Sequence, residues 1–280
     1  YPAQLEEYLQ SKGLKVRVIN AGVDGWTSYE IMYDFLTRVS KFPIDYVIYY
    51  GGFNDLIFTR LIYPPPDKKF LLLGGFGIRG GIESVLNVNF WEWSSILRFF
   101  YVRYWSGVPH FDFFSIRPLE TNHFLDLVVQ LLRKNYPNGI FESISPENIL
   151  KSNPPAHFRG NLKGIIDIAR ARNIEPIFVA YKLNHCSENN YFLVSDGVGK
   201  EVLNKLIEVG IDEMNKVIKA VANESSVPLF EFAEVYRESC DEFVDLIHNS
   251  EIGAKAKANL IGDFFTAECD FEEVITCKYG

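Results

Sequence analysis

Strand-like and helix-like patterns alternate at the start of the chain, and this alternation restricts the fold more than any other feature. Val16, Val18 and Ile19 within residues 15–20, and the apolar run within residues 45–50, predict two buried strands. Between them, Ile31, Phe35 and Val39 recur at helical spacing within residues 29–40, and Pro43 ends the connection. Because a strand, a helix and a strand with short links form a right-handed crossover, the two strands belong to one parallel sheet.

The same rhythm returns in the C-terminal half. Helical spacing predicts helices over residues 158–172, 200–224 and 254–265, and short apolar runs predict strands over residues 175–181 and 227–232. A further amphipathic helix is predicted over residues 1–13, where Gly13 is placed to end it. The alternation indicates an α/β fold with a parallel sheet.

A polar, glycine-containing loop follows each of the first two predicted strands. The loops contain residues 20–28 (NAGVDGWTS) and 50–55 (YGGFND). In an open parallel sheet, the loops at the carboxyl ends of the strands form the crevice where ligands bind. A glycine amide and an asparagine side-chain amide that converge there would form an oxyanion hole.

A third polar stretch, residues 243–248 (FVDLIH), places Asp245 three positions before His248. A single turn can bring both side chains into one cleft, where the carboxylate fixes the tautomer of the imidazole and stabilises its cation. A histidine held in this way is basic enough to activate a hydroxyl. The alternative is that the two residues merely cap the following helix, which is the usual role of an isolated D-x-x-H pattern.

Together and in this order, NAGVDGWTS, YGGFND and DLIH resemble the SGNH hydrolase superfamily, also called GDSL-type esterases and lipases. The stretches YPAQLE at residues 1–6 and NLKGIIDIAR at residues 161–170 agree with it, as does Gly253 after the histidine. The resemblance covers most of the chain outside residues 61–156. It implies a three-layer α/β/α flavodoxin-like sandwich, formed by one domain over residues 1–280 with residues 61–156 as an insertion.

The resemblance also implies a serine ester hydrolase that cleaves an acyl or acetyl ester through an acyl-enzyme, without a metal or an organic cofactor. His248 would take the proton of the serine, Asp245 would orient His248, and the amides of Gly25 and Asn54 would hold the oxyanion. The implied substrate is a small-molecule, glycan or lipid ester. Acyl transfer by the same residues remains an alternative, because only the exclusion of water from the acyl-enzyme separates the two reactions.

No serine of this chain matches the position of the family's nucleophile, which follows the first strand of the fold. Ser11 lies within the predicted N-terminal helix, and Ser28 lies beyond Gly25. We expect the natural protein to carry the serine upstream of Tyr1, on a strand between residues 15–20 and 45–50, so these two segments should not pair directly. The alternative is a catalytically inactive module that binds an acylated glycan, a lipid or a protein partner.

Residues 61–156 break the α/β rhythm. A glycine-rich stretch at residues 74–81 is predicted to be a flexible loop, since no phosphate-binding lysine follows it. A helix-like run at residues 94–105 is apolar on nearly all sides, so it either packs beneath the insertion, lines an acyl-binding groove or contacts lipid or a partner. Outside the insertion, His185 follows a predicted strand and is interpreted as a solvated loop residue, with substrate contact as the alternative.

Composition argues against several other classes of protein. A net charge of −8 and a pI of about 5.3 give no basic field for nucleic acid. No apolar run approaches the ~20 residues that a membrane-spanning helix requires. The four cysteines show no C-x-x-C spacing, which argues against a structural zinc site. We expect an exported or cell-envelope protein, with Cys269 and Cys277 as the candidate disulfide, while the oligomeric state stays open.

Overall fold

The computed structural model describes residues 1–23, 25–62, 150–151, 154–184, 197–237, 239–270 and 276–277. Helices and strands alternate along these ranges, so the chain is an α/β protein. The elements are α1 (Pro2–Ser11), α2 (Ser28–Thr37), β1 (Tyr46–Tyr50), α3 (Ala156–Arg170), β2 (Glu175–Val179), α4 (Gly197–Ser225), β3 (Leu229–Phe230), α5 (Phe232–Val235), α6 (Glu251–Glu268), β4 (Cys269–Asp270) and β5 (Thr276–Cys277). Short 3₁₀ turns at Val39–Lys41 and Cys240–Glu242 and a π-helical segment at Asp55–Ile62 complete them.

The three strands β1, β2 and β3 form a parallel sheet in that order. Ile48 of β1 lies opposite Ile177 of β2, and Phe178 of β2 lies opposite Leu229 of β3. The predicted α/β class with a parallel sheet is therefore confirmed. Strands β4 and β5 form a separate antiparallel pair.

Helices cover both faces of the sheet. Phe178 belongs to an apolar cluster with residues of α2, α3 and α4, whereas Ile177 and Val179 belong to a second cluster with residues of α1 and α6. Successive side chains of a strand point to opposite faces, so the two clusters lie on opposite sides of β2. Full burial of each such side chain stabilises the fold by roughly 1.5–3 kcal/mol.

Most predicted helices form within a few residues of the expected bounds. Helix α1 is followed by Gly13, whose φ of +89° is the left-handed conformation that glycine adopts without strain. Helices α4 and α6 extend beyond the predicted ranges of 200–224 and 254–265. The last strand of the sheet is shorter than predicted, because only two residues of the apolar run 227–232 pair with β2.

The structure assigns no strand over residues 15–20, because none of the described strands pairs with this segment, so the predicted strand there is wrong. Side chains of α1 bond its backbone instead: Glu6 Oε2 accepts the Val18 amide proton at 2.6 Å, and Gln10 Nε2 donates to the Val16 carbonyl at 3.0 Å. As expected, no ladder joins the segment to β1, which is an edge strand among the described residues. The middle of β1 stays partly exposed, whereas residues 176–179 of β2 are fully buried.

Arg60, the residue before the predicted insertion, contacts both Leu150 within it and helix α4. Arg60 is buried, and its guanidinium donates to the Leu150 carbonyl at 2.9 Å and to Glu213 of α4 at 2.6 Å. The glycine-rich stretch at residues 74–81, the helix-like run at residues 94–105 and His185 lie outside the described residues.

Two observations concern the cysteines. Cys240 is disulfide-bonded. Cys269 and Cys277 lie opposite each other in the β4–β5 ladder, so the backbone brings the two expected partners together, and the bond between them stays a prediction.

Across the described ranges, none of the helices combines the length and the apolar character that crossing a membrane requires.

The unpaired state of residues 15–20 predicts a difference in amide hydrogen exchange. Amides held only by side chains at the surface open more readily than amides in a buried ladder. We expect residues 15–20 to exchange at least ~100-fold faster than residues 177–179 of β2. Exchange measured residue by residue by NMR checks this, and equal protection of the two segments would contradict the absence of a strand at residues 15–20.

Candidate active site

The structure brings Asp245 and His248 into direct contact. Oδ2 of Asp245 lies 2.6 Å from Nδ1 of His248. The other carboxylate oxygen, Oδ1, accepts the backbone amides of Ile247 at 2.8 Å and His248 at 2.7 Å. The carboxylate is therefore fixed by the backbone on one side and presented to the imidazole on the other.

These contacts also hold the charge of the carboxylate. Partial burial by itself would raise the pKa of Asp245, but the hydrogen bonds from the His248 ring and from the two amides outweigh burial and bring the pKa below its ordinary value. Asp245 is thus an anion at neutral pH. The His248 side chain is 60% exposed, so a substrate at the surface can reach the imidazole.

The two residues lie in a short closed loop of residues 243–249 that precedes α6, which we call the dyad loop. Phe243 and Asn249 form an isolated antiparallel bridge, and the Val244 amide donates to the His248 carbonyl at 2.9 Å. Helix α6 begins only at Glu251, so Asp245 does not cap it, and the capping alternative is wrong. The carboxylate instead stabilises the turn of the loop itself.

Asn184, in the segment that follows β2, anchors this loop. Its backbone amide donates to the Leu246 carbonyl at 2.9 Å, and its Nδ2 donates to the Asp245 carbonyl at 3.0 Å. Asn184 is fully buried. The sequence gives no local sign of this role, because the partners lie far apart in the chain and no pattern links them.

Gly25 and Asn54 also come close together. Nδ2 of Asn54 donates to the carbonyl of Trp26, the residue after Gly25, at 2.9 Å. The amide group carries a second N–H that this bond does not use. Gly25 has a φ of +78°, which a residue with a side chain adopts only with strain. The hydrogen bond therefore ties the side chain of Asn54 to the turn at Gly25.

A buried network fixes the loop that carries Asn54. The neighbouring Asp55 accepts the Ser28 amide at 2.8 Å and the Ser28 hydroxyl at 2.5 Å, and the same hydroxyl accepts from Asn161 of α3 at 2.9 Å. Burial raises the pKa of Asp55 to about 7, against the opposing effect of the hydrogen bonds from Ser28. Ser28 is fully buried within this network, and Ser11 donates to the Tyr8 carbonyl in α1, so neither serine is presented as a nucleophile.

Tyr181 connects the two halves of the site. Its ring stacks on Tyr50 with centroids 4.8 Å apart, and it lies 6.4 Å from the ring of Phe53, the residue before Asn54. Burial raises the pKa of Tyr181, and the nearby charge of Asp245 raises it further. The loops after β1 and β2 and the dyad loop thus meet at the carboxyl edge of the sheet.

The described residues contain no cluster of three or more His, Cys, Asp or Glu side chains that could hold a metal ion. The polar groups at the carboxyl edge are instead a carboxylate, an imidazole and amide donors. This set can accept a proton and hold a developing negative charge on oxygen.

Comparisons with known proteins give no identification: no family model, no curated protein and no solved structure matches the chain.

Burial of Asp55 predicts a pH dependence of stability. The folded state holds the proton up to about pH 7, whereas an unfolded aspartate releases it near pH 3.8. The folded state therefore binds more protons in this window, and the free energy of unfolding falls as the pH rises, by on the order of 3–4 kcal/mol. Asp55→Asn should lack this decline.

The measurement is urea denaturation of both proteins between pH 4 and 8. Asp167→Asn, at an exposed position of α3, is the control and should follow the natural protein. Parallel pH profiles for the Asp55→Asn variant and the natural protein would contradict the assignment.

A glycine next to the dyad loop predicts a second effect on stability. A Cβ atom at Gly253 would lie 1.9 Å from the carbonyl oxygen of Glu242, which accepts the Ser250 amide at 2.9 Å. Gly253→Ala must push α6 away from the loop, so we expect it to lower the free energy of unfolding by about 2 kcal/mol or more.

The matched control is Gly160→Ala, at an exposed position inside α3 where an added Cβ meets nothing within 4 Å. Alanine there should stabilise the helix by up to about 1 kcal/mol. Denaturation curves of the two variants should therefore shift in opposite directions, and equal shifts would show that the Gly253 contact does not govern stability.

Proposed function

We propose that this protein is a serine ester hydrolase of the SGNH type, built on a flavodoxin-like α/β/α sandwich. The observation that carries the proposal is the Asp245–His248 pair, joined at 2.6 Å and held at the same sheet edge as Asn54. The order of the three motifs along the chain and the helices on both faces of the parallel sheet also support it.

In the proposed reaction His248 is the general base. With Nδ1 donating to Asp245, the neutral imidazole presents Nε2 as the proton acceptor. The serine hydroxyl gives its proton to Nε2 while its oxygen attacks the ester carbonyl. The protonated imidazole then returns the proton to the departing alcohol. Water repeats the sequence on the acyl-enzyme and regenerates the serine.

Asp245 and the amide donors support this chemistry without taking part in bond changes. The Asp245 anion stabilises the imidazolium that forms during attack. The backbone amide of Gly25 and the side-chain amide of Asn54 hold the negative charge on the tetrahedral oxygen. Asn54 is oriented for this by its bond to Trp26, and its loop is held by the Asp55–Ser28 contacts.

The nucleophile in this proposal is a serine on a strand beside β1, upstream of Tyr1. The edge position of β1 among the described residues and the unpaired segment at residues 15–20 support this arrangement. The substrate is an acyl or acetyl ester of a small molecule, glycan or lipid. The disulfide at Cys240 fits the expected export of the protein, because disulfides persist in oxidising compartments.

The test uses the protein as its gene encodes it. A fluorophosphonate probe should label one serine, and short-chain nitrophenyl esters should be hydrolysed. His248→Ala and Asp245→Asn should lower turnover by about 10³–10⁴, because the base is removed or mispositioned. Asn54→Ala should lower kcat by about 10²–10³ with little change in KM.

The matched control is His157→Ala, an exposed histidine on α3. It should leave labelling and hydrolysis unchanged. Absence of both labelling and hydrolysis in the natural protein would refute the proposal and favour a binding module. Activity that survives in the His248→Ala variant would refute the assigned base.

A further inference from the structure

The dyad loop is a short hairpin, and its pairing determines which side chain lies beside His248. Phe243 and Asn249 form its antiparallel bridge. One position further along, the Val244 amide donates to the His248 carbonyl at 2.9 Å. Val244 and His248 are therefore directly opposite each other. Side chains of such a pair lie on the same face, with their Cβ atoms about 4.5–5.5 Å apart.

The exposure of the side chains agrees with this pairing. Phe243 is 3% exposed and belongs to the apolar cluster that includes Ala258 of α6, whereas Val244 is 59% exposed. The side chain of His248 is 60% exposed. Because adjacent residues of a strand point to opposite faces, Phe243 anchors the hairpin in the core while Val244 and the imidazole share its outer face.

The next pair on this outer face does not present free hydrogen-bonding groups in the same way. The Ser250 amide donates to the Glu242 carbonyl at 2.9 Å, so these two residues are opposite each other, two positions from Val244. The Ser250 hydroxyl donates to a backbone carbonyl at 2.6 Å, and one carboxylate oxygen of Glu242 accepts a backbone amide at 2.9 Å. The neighbour of the imidazole on this face is therefore an apolar, solvent-exposed side chain.

A single exposed apolar side chain is common on protein surfaces and by itself indicates no function. The position of Val244 beside the imidazole is what distinguishes it. In the proposed reaction His248 returns its proton to the departing alcohol, so the alcohol oxygen must come within hydrogen-bond distance of Nε2. The carbon atoms attached to that oxygen then lie next to the imidazole, within reach of Val244.

We propose that Val244 is a specificity-determining residue that contacts the alcohol part of the ester and favours an apolar alcohol over a sugar. This inference rests on the proposed function and narrows its substrate class to esters whose alcohol carries an aliphatic or aromatic group. A methylene group that loses water against Val244 adds binding energy. Sugar hydroxyls in the same place would lose water without gaining a hydrogen-bond partner.

The test uses the protein as its gene encodes it and measures kcat/KM for two series of esters. In the alcohol series the acyl group is always acetyl, and the alcohol is lengthened from methyl to butyl. In the acyl series the alcohol is always methyl, and the acyl group is lengthened from acetyl to pentanoyl. We expect kcat/KM to rise about 2-fold per methylene in the alcohol series, roughly 8-fold in all, because an open contact removes only part of the water from each methylene.

Two substitutions of Val244 separate its apolar contact from its place in the hairpin. Val244→Thr keeps the branched shape but replaces a methyl group by a hydroxyl, so the rise from methyl to butyl acetate should fall to ~2-fold or less. Val244→Ile extends the apolar side chain and should increase the rise by up to ~2-fold. Both variants should retain the ratio found in the acyl series. The control is Leu36→Thr, at a position of α2 that is 46% exposed, and it should change neither series.

Several results would overturn the role of Val244 while the proposed function stands. They are an alcohol series without a rise in an active natural protein, a rise that survives in Val244→Thr, and an equal loss of the rise in Val244→Thr and Val244→Ile, which would indicate a structural effect. A higher kcat/KM for an acetylated methyl glucoside than for butyl acetate would overturn the apolar class of alcohol. Absence of hydrolysis with every ester would refute the proposed function and this inference with it.

Discussion

The parallel pairing of β1 with β2 is the constraint on which the candidate site depends. It places Tyr50 opposite Val179, so the loops after the two strands leave the sheet side by side. One loop carries Asn54 and the other carries Asn184, which holds the dyad loop through two hydrogen bonds. The register cannot shift by one residue, because every side chain of β2 would then point to the opposite face of the sheet. Each apolar cluster would lose the buried β2 side chains that belong to it. Packing of the core around β2 thus determines where the loops that carry Asn54 and Asn184 leave the sheet.

Hydrogen bonds between buried polar groups then fix the loops that the sheet places side by side. Asp55 and Ser28 join the loop after β1 to the start of α2, and Asn184 joins the end of β2 to the dyad loop. Each bond joins groups that would cost about 1–3 kcal/mol if they were left unsatisfied. Such contacts therefore restrict the site to one arrangement more than they add to stability. The raised pKa of Asp55 shows the cost of this arrangement, since burial opposes its charge even with two donors present.

Local patterns in the sequence were sufficient for the helices, for β1 and β2 and for the contact between Asp245 and His248. The spacing of Asp245 and His248 is a short-range property, and a turn of a few residues satisfies it wherever the loop lies. The strand predicted at residues 15–20 failed because strand formation is a long-range property. A strand needs a neighbouring strand to pair with, and a local apolar pattern does not show whether such a neighbour is present. Asn184 was missed for a similar reason: its partner Asp245 lies 61 residues away, and an asparagine after a strand looks like any other loop residue. The flavodoxin-like arrangement requires more strands than the described sheet contains.

In the proposed reaction, the geometry of the Asp245–His248 pair also limits how a nucleophile can reach the imidazole. Both carboxylate oxygens of Asp245 are hydrogen-bonded, Oδ1 by two backbone amides and Oδ2 by the imidazole, so the ring of His248 is oriented without a ligand. The imidazole itself is largely exposed, and at an exposed site water competes with every other proton donor. A hydroxyl on a mobile segment would compete with water for the imidazole and would also lose conformational entropy each time it bound there. A hydroxyl at the end of a paired strand has already lost that entropy during folding. Under the proposed function, such a strand would pair with the edge of β1 that is unpaired among the described residues, because the carboxyl end of β1 lies beside Tyr181. Strand pairing and proton transfer would then be parts of one geometric requirement.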